Sequence, residues 1–188
     1  MSGSQEDLSQ PWDGQTVPDS AGAVVRRIEG FFANPYQDSA GIWTIGYGTI
    51  RDAKGKPVTA HTPPVSEDEA LALQERDMQD AAGGVHRLVT VGLLGYEAAA
   101  LISWTYNLGA GALGGSTMLK LLNAGQKDSV PDQMHRWINA GGKPVLGLLR
   151  RRWAEAAIFQ GIDAGVACDR AWAEIKTLAD WPGFNASA

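Results

Sequence analysis

Residues 24–50 read VVRRIEGFFANPYQDSAGIWTIGYGTI, and the rest of the chain is arranged around them. Val24, Val25, Ile28 and either Phe31 or Phe32 recur at helical spacing, with Ser20 as an N-cap and Gly30 as a stop. Glu29 therefore stands at a helix end. Asn34-Pro35 marks a turn. Asp38 follows in a polar loop with Gln37, Ser39 and Gly41. Residues 42–50 alternate like a strand, with Trp43, Ile45, Tyr47 and Thr49 on one face and Thr44, Gly46 and Gly48 on the other. Glycine weakens a strand. Two on one face point either to close approach by a ligand or to a bulge or tight packing on a helix.

Working outward, residues 1–19 are polar, with four acids and no base, and read as a tail ordered only by docking on the body. After the strand, residues 52–55 read as a hairpin turn and 56–59 as a short return strand. Ser66 and Glu69 form a capping box for a helix ending near residue 82, where Gly83-Gly84 interrupts, and residues 85–90 read as a separate short helix. Residues 96–107 are strongly apolar and read as a buried central helix. Ser116 caps a helix that Gly125 ends, and Pro131 opens another through Trp137. Gly141-Gly142 closes that segment. A helix over 146–160 follows, stopped by Gly161, and a last one over 169–178. The pattern is α+β by segregation: a small lobe with a hairpin, a long connecting helix and an all-helical lobe, with a cleft between them. The division is a tail at 1–19, a catalytic domain at 20–161 and an extension at 162–188.

Composition narrows the function. At 188 residues, 44% hydrophobic and 20% charged, the chain has enough apolar material for a real core. No apolar run reaches the ~18 residues of a membrane span, and membrane insertion is not expected. Residues 1–20 lack the basic start and apolar core of a signal peptide, so synthesis in a cytoplasm is expected. The net charge of −5 argues against sequence-independent nucleic-acid binding. Residues 116–160 nonetheless carry seven bases against three acids. That segment faces either an anionic polymer or water, through a salt-bridged helix face. The single Cys168 reads as a bystander rather than a nucleophile. His61, His86 and His135 have no metal-ligand spacing, and neither a metal nor a cofactor is expected.

Two acids of unlike environment near a hydroxyl suit glycoside cleavage, which needs one protonated and one ionised carboxyl. Glu29, at the negative end of a helix dipole beside Phe31 and Phe32, is expected to have a raised pKa and to serve as the acid. Asp38 in its polar loop stays ionised and holds a water with Thr44. Spacing alone is a weak signal, because a surface Glu and an Asp turn give the same pattern.

The whole stretch carries more. Glu29, eight residues, Asp38, five residues, then Thr44 inside WTIGYG resembles the catalytic signature of the phage-type lysozymes, glycoside hydrolase family 24. WTYNLG at 104–109, GGSTML at 114–119, LNAG at 122–125, Arg136-Trp137 before AGGK at 140–143, and GLLRRR at 147–152 with Glu155 agree in order. The resemblance covers residues 22–161. It implies a lysozyme-like fold, Glu29, Asp38 and Thr44 as the catalytic set, and peptidoglycan glycan strands as substrate. The implied reaction is hydrolysis of the β-1,4 bond between N-acetylmuramic acid and N-acetylglucosamine, with inversion, by a monomeric endolysin. Such an enzyme would be released to the wall through a holin-type membrane lesion. Gly46, Gly48, Tyr106, Asn107 and Arg151 are taken as cleft residues, Arg151 by pairing with the catalytic Glu. Core packing of Tyr106 and a solvated arginine run stay open as alternatives. Thr49 departs from the pattern, which usually has His after Gly-Tyr-Gly; strand phase turns it away from Thr44, so loss of that His is not expected to abolish activity. Competing functions are a virion- or secretion-associated wall binder and a lytic transglycosylase, which keeps the acid and dispenses with the water-holding Asp.

Overall fold

A computed structural model describes residues 7–38 and 41–184; Ser39 and the first six residues of the tail lie outside the described residues. Helix α1 (Asp19–Glu29) begins after Pro18, one residue ahead of the expected Ser20 cap, and Gly30 at φ 70° ends it, so Glu29 is its last residue. Ala21, Val24 and Val25 anchor the helix in the main core. Phe31 and Phe32 do not continue it. The chain turns at Gly30, and both rings stand partly in solvent, 39% and 47% exposed.

Phe32 instead opens strand β1 (Phe32–Gln37), which pairs antiparallel with β2 (Trp43–Gly46). The expected turn at Asn34-Pro35 is a register irregularity inside β1, between Phe32 and Tyr36. Proline lacks an N–H, so it sits where a strand is interrupted or at an edge. The strand expected over 42–50 stops at Gly46. Ile45 and Thr49 exchange both backbone hydrogen bonds, at 2.9 and 3.1 Å, around Gly46-Tyr47-Gly48. Positive φ at Gly46 (64°) and Gly48 (95°) makes that tight reversal possible. The next turn, at 52–55, is as expected: Asp52 donates its N–H to the Lys56 carbonyl at 2.8 Å. Ile45, Val58 and Leu73 form the small lobe's own core.

Helix α2 (Glu67–Leu88) starts with the Ser66–Glu69 capping box and runs straight through Gly83-Gly84, merging the two helices expected there. Gly84 is a contact point rather than a stop. A Cβ there would lie 2.8 Å from Cβ of Ala110, so its bareness lets α2 lie against α4 (Ala110–Gly115). Helix α3 (Gly95–Leu108) is the buried centre, with Ala98 to Ile102 and Trp104 inaccessible. Helix α5 (Thr117–Asn123) is capped by Ser116, and α6 (Val130–His135) has Pro131 in its first turn. Gly141-Gly142 forms the turn of a second small hairpin, β3 (Asn139–Ala140) with β4 (Lys143–Pro144). Helix α7 (Leu146–Phe159) lies against α3 and α6.

Helix α8 (Ala164–Glu174) begins five residues before the expected start, where Asp163 caps it by accepting the Val166 N–H. Ala167, Cys168 and Ala171 join the main core, and Trp153 Nε1 donates to the Pro182 carbonyl at 2.7 Å. Residues 162–184 thus pack into the same core as α1 and α7. Burial pushes the Cys168 thiol up to about 11, as befits a bystander. At the other end, Pro11 bridges Leu94, the Trp12 N–H reaches the Leu93 carbonyl at 2.8 Å and the Tyr96 N–H reaches the Leu8 carbonyl at 3.1 Å, so the tail is strapped to the body from residue 8.

Much of the basic charge at 116–160 is turned inward. Arg151 and Arg152 are buried, Lys127 pairs with Glu97, and Arg150 donates to the Ile175 carbonyl. These are four of the segment's seven bases; Lys120, Arg136 and Lys143 are exposed.

Candidate active site

Each member of the expected acid–acid–hydroxyl set is held by a different device. Gly30 ends α1 at Glu29, which leaves the carboxylate projecting beyond the helix. Asp38 follows β1, and its Oδ1 accepts the Ile42 N–H at 2.8 Å while its own N–H donates to the Ile42 carbonyl at 3.0 Å. Thr44 lies on β2, almost fully buried, and its Oγ1 donates to the same Ile42 carbonyl at 3.0 Å. Its lone pairs are what it has left to offer a water. The three side chains line one cleft of about 620 Å³, which Tyr106 and Asn107 from the end of α3 close on the other wall.

Gly48 belongs to this cleft and Gly46 does not. A Cβ on Gly48 would meet the Glu29 carboxyl carbon at 3.5 Å, ordinary van der Waals contact, so Gly48 adjoins the acid and it is the backbone at φ 95° that calls for glycine. A Cβ on Gly46 would lie 2.9 Å from Cβ of Ala70 on α2. The bare face at Gly46 therefore receives a helix, not sugar, which corrects the expectation that it faces the substrate. Gly46→Ala is expected to cost about 2–4 kcal/mol of stability, from left-handed backbone plus overpacking. KM for wall substrate should not move; thermal denaturation and wall-digestion kinetics separate the two effects.

Arg151 pairs with Glu29, as anticipated, but it makes no contact with the cleft itself. It is 2% exposed; Nη1 donates to Glu29 Oε1 and Nε donates to Glu155 Oε1 at 3.1 Å. It positions the acid and is not a substrate contact. Burial works against its charge, but Glu155 and Glu29 outweigh that and hold its pKa above the ordinary arginine value. Phe31 and Phe32 stand partly in solvent rather than in the core, and the acid has this guanidinium and Gly48 among its neighbours.

Tyr106 is both cleft wall and structural pin. Its hydroxyl donates to the Tyr47 carbonyl at 3.0 Å, tying α3 to the glycine turn of the small lobe. Burial, with Asp77 and Glu29 nearby, pushes its phenol well above the usual range. Thr49 lies beyond the reversal at 46–48, where strand phase no longer applies; it is buried and donates to Asp77 on α2, itself a cleft residue. Two groups escaped the sequence reading. Tyr36 pairs across the hairpin with Thr44 and lines the cleft; burial, then Glu29 and Asp38, raise its phenol pKa. Reading Asn34-Pro35 as a turn hid the strand that carries it. Glu155 is the buried anion between Arg151 and Arg152, and its i+4 and i+3 spacing from them was the available signal. Among the described residues, no group of acids, histidines and cysteine is placed to hold a metal.

The family model for phage lysozyme matches residues 26–155, which contain all of this apparatus except the strapped ends. The chain belongs to the phage lysozyme family. The SAR-endolysin of Escherichia phage Mu is 36% identical over 138 residues, 70% of this chain and 74% of that protein. An endolysin from Escherichia coli O157:H7 phage FAHEc1 superposes with a TM-score of 0.69 at 35% identity, covering 77% of this chain and 92% of that one. A mutant of P22 lysozyme does so at 0.66 and 30%, covering 77% and 98%. This lysozyme therefore has the endolysin fold and is a hydrolase of bacterial peptidoglycan that serves host lysis.

Proposed function

We propose that this lysozyme cuts the β-1,4 bond between N-acetylmuramic acid and N-acetylglucosamine with Glu29 as proton donor and Asp38 and Thr44 as holders of the attacking water. One observation carries the reading. Glu29, Asp38 and Thr44, on a helix end, a loop and a strand, open into a single cleft. Glu29 delivers its proton to the leaving oxygen as the glycosidic bond breaks. Asp38 takes a proton from the water while Thr44 Oγ1 accepts its second hydrogen. Attack from the face opposite the leaving group inverts the anomeric carbon. Arg151 stays buried throughout and returns Glu29 to place. Action as a monomer, and access to the wall through a holin-type membrane lesion, complete the proposal. Among the described residues, no helix is long and apolar enough to cross a membrane.

Mass spectrometry of glycan fragments from purified peptidoglycan tests the chemistry. Muramic acid reducing ends are the expected products, and fresh digests should carry the inverted anomer by proton NMR. 1,6-Anhydro ends would assign the cleft to transglycosylation, with Asp38 and Thr44 in no water-holding role.

A further inference from the structure

Its ion pair with Glu155 does not account for the whole of the Arg152 guanidinium. It is wholly buried, and two of its nitrogens, Nε and Nη1, make no hydrogen bond; the Nε contact to Glu155 Oε2 at 3.2 Å is an ion pair without hydrogen-bond alignment. A buried charge with so few of its donors satisfied is costly to keep, which points to a further role for the group. Its one good hydrogen bond runs from Nη2 to Asn107 Oδ1, at 2.7 Å.

That bond fixes the Asn107 amide. A guanidinium only donates, so the amide oxygen, and never the nitrogen, must face it. Nδ2 is thereby turned the other way. No described residue accepts from Nδ2, and Asn107 lines the cleft together with Glu29 and Thr44. The cleft wall therefore carries a two-proton donor whose orientation is locked from behind by a buried cation, which also polarises it.

We infer that Asn107 Nδ2 donates to an acetamido carbonyl of the glycan, and that Arg152 is a positioning residue that holds the donor outward. A group of this kind discriminates. An amide carbonyl accepts from it. A free amino group at C2, protonated near neutral pH, has no acceptor and meets the donor's partial positive charge with its own. This lysozyme should therefore prefer N-acetylated over de-N-acetylated strands through Asn107. The inference rests on the reading that the cleft cuts peptidoglycan.

Asn107→Asp is the decisive variant. A carboxylate still accepts from Arg152, so the fold is kept, but it has no N–H to give. Digestion is measured on matched peptidoglycan preparations, N-acetylated and chemically de-N-acetylated, with the wild-type chain, Asn107→Asp and Arg152→Lys. The wild type should favour the acetylated wall. In Asn107→Asp that preference should fall by roughly tenfold, mainly through KM on acetylated wall, with the melting temperature held. Arg152→Lys keeps a donor for Oδ1 and should retain most of the preference. An unchanged ratio in a folded Asn107→Asp enzyme would overturn the inference even though the wall is still digested. A wild-type chain that digests neither wall would instead remove the functional reading and this inference with it.

Discussion

Glu29→Gln should lower wall-clearing activity by about 10²- to 10⁴-fold, the usual contribution of a positioned general acid, with little change in melting temperature. The substitution keeps shape and removes the deliverable proton. An amide at this position still accepts from Arg151 through its oxygen. Arg151 also keeps Glu155, whose Oε1 lies 3.1 Å from Nε, so the buried cation is not left unpaired. Glu29 itself is 25% exposed at its side chain, and the effective dielectric around its ion pair is correspondingly high. The stability cost should fall below about 1 kcal/mol, in the range of partly exposed pairs. Turbidity clearing of purified walls and scanning calorimetry on the same samples make the comparison. A Glu29→Gln enzyme that clears walls at close to the wild-type rate would show that the proton comes from elsewhere. A folded chain that has lost activity is the result the cleft geometry requires.

The part of this site legible from sequence was the part set by local rules. A glycine after an apolar-periodic run stops a helix, and so Glu29 could be placed at a helix end from Gly30 alone. The Ser66–Glu69 box fixed the start of α2, and the apolar run near residue 100 fixed the centre of the helical lobe. What escaped was set by neighbours distant in sequence. Gly83-Gly84 looks like a stop until Ala110 is known to press against it. Gly46 looks like a sugar floor until Ala70 appears above it. Tyr36 entered the site only because residues 32–37 pair with 43–46, a choice made by cross-strand contacts that override a Pro-containing turn signal. The charge count over 116–160 left two readings open for the same reason: composition does not say that two arginines lie inside the protein around a single glutamate. Family resemblance supplied the Arg151–Glu29 pairing, and the fold supplied its meaning, because full burial makes Arg151 a support for the acid rather than a hand on the sugar.

Glu155→Gln should be the most destabilising single change among the site residues. Glu155 is fully buried between Arg151 and Arg152, themselves 2% and 0% exposed. Removing its charge leaves two adjacent guanidiniums inside the core with only Glu29, at the cleft surface, to oppose them. Arg152 is already strained in the native protein: burial, with Arg151 beside it, pushes its pKa down to about 10 despite Glu155. Breaking a buried ion group by deleting one partner typically costs about 3–5 kcal/mol. At about 2–4 °C per kcal/mol for a chain of this length, the melting temperature should drop by roughly 10 °C. Scanning calorimetry reads this directly. Ser103, which donates to Glu155 Oε1 at 2.9 Å, can still donate to the glutamine oxygen, so the loss would report charge rather than a missing hydrogen bond. A double variant sharpens the point. Arg152→Leu placed on Glu155→Gln removes one of the two stranded cations, and it should recover a large part of the lost stability by coupling. It should not recover activity on acetylated wall, because Asn107 would have lost the group that turns its amide outward. Stability returning without activity is the signature of a buried ion group kept for the geometry of the cleft. If activity returned in step with stability, Arg152 would be only a counter-charge for Glu155, and the Asn107 amide would hold its orientation without help.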